Sequence, residues 1–175
     1  MVWTLPAQLA VLGVEADSYV RAAQELVNSA GQTLTIVSPY LEPKGMALLH
    51  EGLVNALHRG VAVTILTHDV EDLSSLASAA LNALRSECVG LPGSVTVLTA
   101  ASTPQVLLHL KAVVADESRV IIGSANVTGK GFGPNLEAGV VLGRAAATEI
   151  ESVVRAVISG RVVTCSFSSK QYLPT

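Results

Sequence analysis

Apolar residues along this chain switch between two rhythms. Over residues 18–30, Val20, Ala23, Leu26 and Val27 recur at helical spacing, and Gly31 gives a stop signal. TLTIVS, residues 33–38, is β-branched and predicts a strand, with SPYLEPKG as the following loop. Met46, Leu49, Leu53, Ala56 and Leu57 stripe a second helix, with Pro43 at its start and Gly60 at its end. VAVTILTH, residues 61–68, is a continuous apolar run of the kind buried on both faces. Leu73, Leu76, Ala77, Ala80, Leu81 and Leu84 mark a third helix, LPG breaks the chain, and SVTVLT is a further strand. Alternating helix and strand predicts parallel strands joined by crossover helices.

The second half reads differently. A strand over 107–115 meets the short turn Asp116-Glu117-Ser118 and then RVIIGS, the spacing of an antiparallel hairpin. LEAGVVLG is another strand, and Ile150, Val153, Val154, Val157 and Ile158 stripe a last helix. The expectation is one α/β domain over residues 1–175, a mixed β-sheet flanked by helices. Residues 1–16 read as a lead-in, helical in part, and 160–175 as an edge strand or loose tail.

Half of the residues are apolar and only 14% are charged, so Ala, Val and Leu fill the core. A net charge of −3 gives no global basic field for nucleic acid, though a local cleft can still be positive. Lys44, Arg59, Lys130 and Arg144 are the cations that could serve one. Cys88 and Cys165 match no metal or redox spacing. No run reaches the roughly 18 apolar residues of a membrane span. The N-terminus lacks the basic region of a signal peptide, so a reduced, cytoplasmic setting is expected.

One stretch carries chemistry: HLKAVVADESRVIIGSAN, residues 109–126. In a regular strand His109 and Lys111 share a face, and burying both without partners is expensive. A strand end opening onto an anion-binding cleft resolves this. Lys111 supplies fixed positive charge there, and His109 can attack or shuttle protons near neutral pH. Gly123 permits close backbone approach, and Ser124 and Asn126 can donate hydrogen bonds to phosphate oxygens. Glu137 offers the carboxylate that an attacking imidazole needs on its other ring nitrogen. Asp116 falls on the opposite face from His109 and reads as structural. His50 and His58 read as helix-surface residues, whereas His68 stands at a strand end that could border the cleft. GSANVTGKG is not a P-loop, because five residues separate its glycines and Gly131 follows the lysine.

The stretch resembles the signature of the phospholipase D superfamily: His-x-Lys, four residues, Asp, six residues, then Gly-Ser-x-Asn. NLEAGV around Glu137 and SPYL after the first predicted strand are similar to family segments too. The resemblance covers roughly residues 33–158 and implies the family's α-β-α sandwich. It implies that His109 attacks phosphorus to form a phosphohistidine, and that Lys111, Ser124 and Asn126 hold the phosphate oxygens. It implies that Glu137 orients His109, and that no metal or other cofactor is needed. Family members use two motif copies, and this chain has one, since neither His50, His58 nor His68 has a Lys two residues on. The resemblance therefore implies a homodimer with both His109 side chains at the interface.

A small single-motif chain is similar to the bacterial endonuclease branch, which implies hydrolysis of nucleic-acid phosphodiesters. The VWT start and Ala-rich build resemble the phospholipase D-like component of DISARM-type phage-defence clusters, which would add other subunits of a defence complex as partners. The alternatives are a phospholipase or phosphatidyl transferase acting on lipids, and a catalytically silent dimeric module that binds nucleic acid or a complex.

Overall fold

A computed structural model describes residues 1–7, 18–100, 108–160 and 163–169. Its eight strands are β1 (Val2–Thr4), β2 (Thr33–Val37), β3 (Ala62–Thr67), β4 (Ser94–Ala100), β5 (Ala112–Ala115), β6 (Arg119–Gly123), β7 (Glu137–Leu142) and β8 (Val163–Ser168). Four helices accompany them among the described residues: α1 (Tyr19–Ser29), α2 (Pro43–His58), α3 (Leu76–Glu87) and α4 (Arg144–Ser159). The strands form one sheet in the order β1-β7-β6-β5-β2-β3-β4-β8. β2, β3 and β4 are parallel, and every other pairing is antiparallel. This is the mixed sheet that the alternation of periods predicts.

Both sheet faces are covered, which explains the unbroken apolar runs. Leu34 and Ile36 of β2 and Val63 and Ile65 of β3 pack into one core with Leu26 of α1, Leu49, Leu53 and Leu57 of α2, and Leu81 and Leu84 of α3. Val37 and Leu66 face the other way, against Val154 of α4. Ala112, Val114 and Val120 meet Ala147 on that same side. Thr35 also faces α4 and donates its hydroxyl to Glu151 Oε1 at 3.2 Å.

Local chemistry sets the boundaries. Ser18 caps α1 by accepting from Arg21 N at 3.4 Å, and Pro43 opens α2. α3 starts at Leu76 and not at Leu73. Asp72 captures the N–H and hydroxyl of Ser74, and the Ser75 hydroxyl accepts from Ser78 N at 3.0 Å. Leu73 is left exposed. In the β5–β6 hairpin, Asp116 and Glu117 have φ of 53° and 49°, the left-handed pair that suits a tight turn between twisted strands.

Two expectations change, and a third is decided in favour of its edge-strand alternative. Val2–Thr4 of the presumed lead-in is an edge strand, paired antiparallel with β7. The strand expected from residue 107 begins at Ala112, so His109 and Lys111 precede it. Residues 163–168 of the tail form the opposite edge, β8, on β4. The expected helical part of the lead-in falls on residues 8–17, outside the described residues, as do residues 107, 161–162 and 170–175.

The ends of β2, β3 and β6 and the starts of β5 and β7 lie along one rim of the sheet. Val37 pairs with Leu66 and Ala112, Ala112 with Ile122, and Gly123 with Gly139. The residues singled out for chemistry, Asp116 excepted, follow or precede these ends.

Candidate active site

The rim is built from the exit of β6. A Cβ on Gly123 would stand 2.9 Å from Cε2 of Tyr19 and 2.7 Å from Cα of Gly139. Only glycine leaves room for the Tyr19 ring to lie across β6 and β7. Burial raises the Tyr19 hydroxyl pKa, and nearby Glu137 raises it further.

Past Gly123 the chain alternates inward and outward. Ala125 and Val127 are buried in the core of α1–α3. Ser124 and Asn126 are thereby turned toward the rim. The loop after β2 locks this arrangement. The buried Ser38 hydroxyl accepts from Val127 N at 3.0 Å and donates to Tyr40 O at 2.7 Å. Glu42 N donates to Val127 O at 3.1 Å. Asn126 Oδ1 accepts from Tyr40 N at 3.4 Å, which leaves its Nδ2 group as the donor end.

Glu137 opens β7 beside Ser124. One carboxylate oxygen accepts from the Ser124 hydroxyl and the other from Asn135 Nδ2 at 3.0 Å. Ser124 Oγ also accepts from Ala138 N at 3.2 Å. Glu137 thus holds the hydroxyl that the sequence points at phosphate. The contact with His109 that the family resemblance implies is not among the hydrogen bonds of the described residues.

Lys111 is buried, and its ammonium donates to His109 O at 2.8 Å. Burial lowers its pKa, and the Glu137 charge opposes that. His109 itself is exposed. The residue before it, Leu108, is held as well: His68 Nε2 lies 3.1 Å from Leu108 O, a contact in which the ring nitrogen must donate. Lys111 and His68 therefore grip two consecutive carbonyls and present His109 to solvent. On the rim Ser124 and Glu137 are hydrogen-bonded, Lys111 lies within reach of the Glu137 charge, Asn126 follows through the Tyr40 loop, and His109 enters through its backbone.

Asp116 stands at the opposite rim. Its carboxylate accepts from Gly31 N and Gln32 N at 2.8 Å and from Thr33 N at 2.9 Å, tying the hairpin to the start of β2. The four cations expected to help divide between the rims. Lys130 is exposed in the loop beyond Asn126, and Lys44 lies against Gly129 of that loop. Arg59 is committed elsewhere, donating to Asn28 O and Ala30 O at 3.0 Å. Arg144 opens α4 at the Asp116 end, close enough to act on Glu117. His50 pairs with Glu87 at 3.0 Å, and His58 is exposed at the end of α2.

Sequence reasoning missed one contributor and left two others without a stated role. Tyr19 reads as an ordinary core position of a helix, and only the glycines at 123 and 139 hint at a ring against the sheet. Ser38 and Tyr40 carried a signal, the SPYL segment, but their brace on Asn126 needs the fold. Among the described residues, no group of three or more His, Cys, Asp or Glu side chains could hold a metal ion. No helix among them is long and apolar enough to cross a membrane.

A family model described as "Cardiolipin synthase, PLD-like domain" matches residues 24–157. No curated protein matches the sequence. Among solved structures, the phospholipase D family member Nuc from Salmonella typhimurium superposes with a TM-score of 0.68 at 20% identity, covering 85% of this chain and 90% of that one. NucT from Helicobacter pylori gives 0.63 at 16% identity, covering 83% and 88%. Phosphatidylserine synthase from Haemophilus influenzae Rd KW20 gives 0.65 at 16% identity, covering 99% of this chain but 40% of that one.

Proposed function

The chain belongs to the phospholipase D superfamily, through its PLD-like domain family, and on that premise we propose that it hydrolyses phosphodiester bonds in nucleic acid through a phosphohistidine. The observation that carries this reading is the rim itself, where a buried Lys111 holds the backbone of an exposed His109 and its charge is felt by a hydrogen-bonded Ser124–Glu137 pair.

A ring nitrogen of His109 attacks phosphorus, forming a P–N bond as the P–O bond to the leaving oxygen breaks. That oxygen takes a proton. Lys111 and the Asn126 amide face the charge growing on the nonbridging oxygens, and Ser124 lends its hydroxyl when Glu137 releases it. Water then attacks the phosphohistidine, gives up a proton and frees the imidazole. One chain supplies one such imidazole. A second copy in a two-fold dimer supplies the acid that protonates the leaving group.

The resemblance of the single-motif stretch to the bacterial endonuclease branch supports nucleic acid over lipid, and the likeness to the phosphatidylserine synthase keeps lipid as the reading to test against. The test is incubation with single-stranded DNA, duplex DNA, RNA and phospholipid vesicles in excess chelator. The expected result is nucleic-acid cleavage by a dimer, abolished in a folded, dimeric His109→Ala variant. Retained cleavage in that variant, or a strict magnesium requirement, sinks the mechanism. Turnover confined to vesicles moves the substrate to lipid.

A further inference from the structure

Beside the rim runs a groove of about 260 Å³, walled by Tyr40, Glu42, His68, Asp69, Leu76 and Ala77 among others. It joins the candidate site at two points. The Tyr40 amide holds Asn126 at 3.4 Å, and His68 holds the carbonyl next to His109 at 3.1 Å. A ligand held at phosphorus by His109 and Asn126 would therefore have the groove as its neighbour.

We propose that this groove is a subsite for the nucleobase flanking the scissile phosphate of a single-stranded nucleic acid, with the Tyr40 ring as its stacking platform. The inference rests on the nucleic-acid reading above. Tyr40 is 57% exposed, in a chain with only six aromatic residues. Its backbone is fixed on both sides, by Asn126 at its N–H and by Ser38 at its carbonyl. The ring thus hangs from a held backbone and, with only two side-chain torsions, offers flat contact area at little entropic cost. Leu76, 59% exposed, stands on the other wall.

The polar groups in the groove choose between occupants. Glu42 and Asp69, both acidic, line it, the Glu42 carboxylate also accepting from Gly129 N at 3.0 Å, and His68 is 5% exposed with a buried Nδ1 that has no partner among the described residues. An acyl chain would strip water from the two acidic side chains and return nothing, and it would leave the His68 Nδ1 without a partner. A base has an apolar face for Tyr40 and ring-edge amino groups for the carboxylates. The same carboxylates repel a second phosphate, so base and not backbone enters. A paired duplex would have to unstack a base to fill the groove, which favours single strands.

The test is cleavage kinetics on a single-stranded oligonucleotide, intact or with an abasic residue beside the cut. Removing the flanking base should raise the wild-type KM about tenfold, the scale of one aromatic stack. Tyr40→Ala should lose a similar factor on the intact strand, the two losses should not multiply, and Tyr40→Phe should restore binding. Thermal unfolding checks that Tyr40→Ala remains folded. Losses that multiply, a Tyr40→Ala KM equal to wild type, or a Tyr40 effect seen only on phosphatidylglycerol vesicles each overturn the subsite while leaving cleavage itself intact. No wild-type cleavage of any nucleic acid overturns the underlying reading and the subsite together.

Discussion

The Lys111 ammonium donates to the main-chain carbonyl of His109 at 2.8 Å. The two residues are neighbours because the cation holds the backbone of the histidine, and not because a strand alternates them onto one face. Lys111 is kept where burial works against its charge, and Glu137 offsets only part of that cost. Such an arrangement trades stability for a site ready to receive an anion.

Replacing Lys111 with Met should therefore abolish turnover and raise the unfolding midpoint by a few degrees. The pH dependence carries a sign. The folded-state pKa of Lys111 lies below 10.5, so between the two values the unfolded chain binds more protons. The unfavourable contribution is complete below the folded pKa and fades as pH climbs toward the unfolded value, so wild-type stability should gain on the variant there. Thermal melts of both proteins from neutral to alkaline pH measure it. A Lys111→Met protein less stable than wild type at neutral pH contradicts this account.

Asp116 belongs to the motif but works at the far rim, gripping Gly31, Gln32 and Thr33. Burial pushes its pKa up. The three backbone donors and the Arg59 charge more than reverse this, leaving the carboxyl below its usual range. Its stabilisation is therefore complete above about pH 4, the unfolded value, and is lost as pH falls through the folded one. Asp116→Ala should cost about 3 kcal/mol at neutral pH, from hydrogen bonds to a charged acceptor. Its kcat, measured on protein kept folded at low temperature, should stay near wild type. Denaturant melts and single-substrate kinetics separate the two effects, and an inactive but equally stable variant would assign Asp116 a direct part in the reaction.

The mixed sheet and its two covered faces were legible because unbroken runs such as VAVTILT leave no face for water. The antiparallel β5–β6 hairpin was legible too, since Asp116-Glu117-Ser118 is too short a connection for a crossover. What stayed hidden depended on contacts far apart in sequence. Val2–Thr4 is too short to carry a period, and it becomes a strand only because β7 offers a free edge. The start of β5 was placed too early because the leucines of LLHLK extend the apolar run of the strand it precedes. Arg59 and Lys44 look alike in sequence, yet one caps carbonyls after α1 and the other stands by the Asn126 loop.

That loop yields the last prediction. Gly131 folds back over Asn126: its N–H donates to Thr128 Oγ1 at 2.9 Å, and its carbonyl accepts from Thr4 Oγ1 at 3.1 Å. A Cβ there would collide with Asn126 O and stand 3.1 Å from both Asn126 N and Thr128 Oγ1. These are backbone and short side-chain atoms with nowhere to retreat, so a methyl must push Asn126 away from Tyr40. Gly131→Ala should lower kcat by about a hundredfold, the scale of an ångström misplacement in a site, and cost about 1–3 kcal/mol from overpacking. Gly143→Ala, where a Cβ meets nothing within 4 Å, is the matched control and should turn over like wild type. If both variants keep full activity, the position of Asn126 does not limit the reaction, and its phosphate-holding role fails with that result.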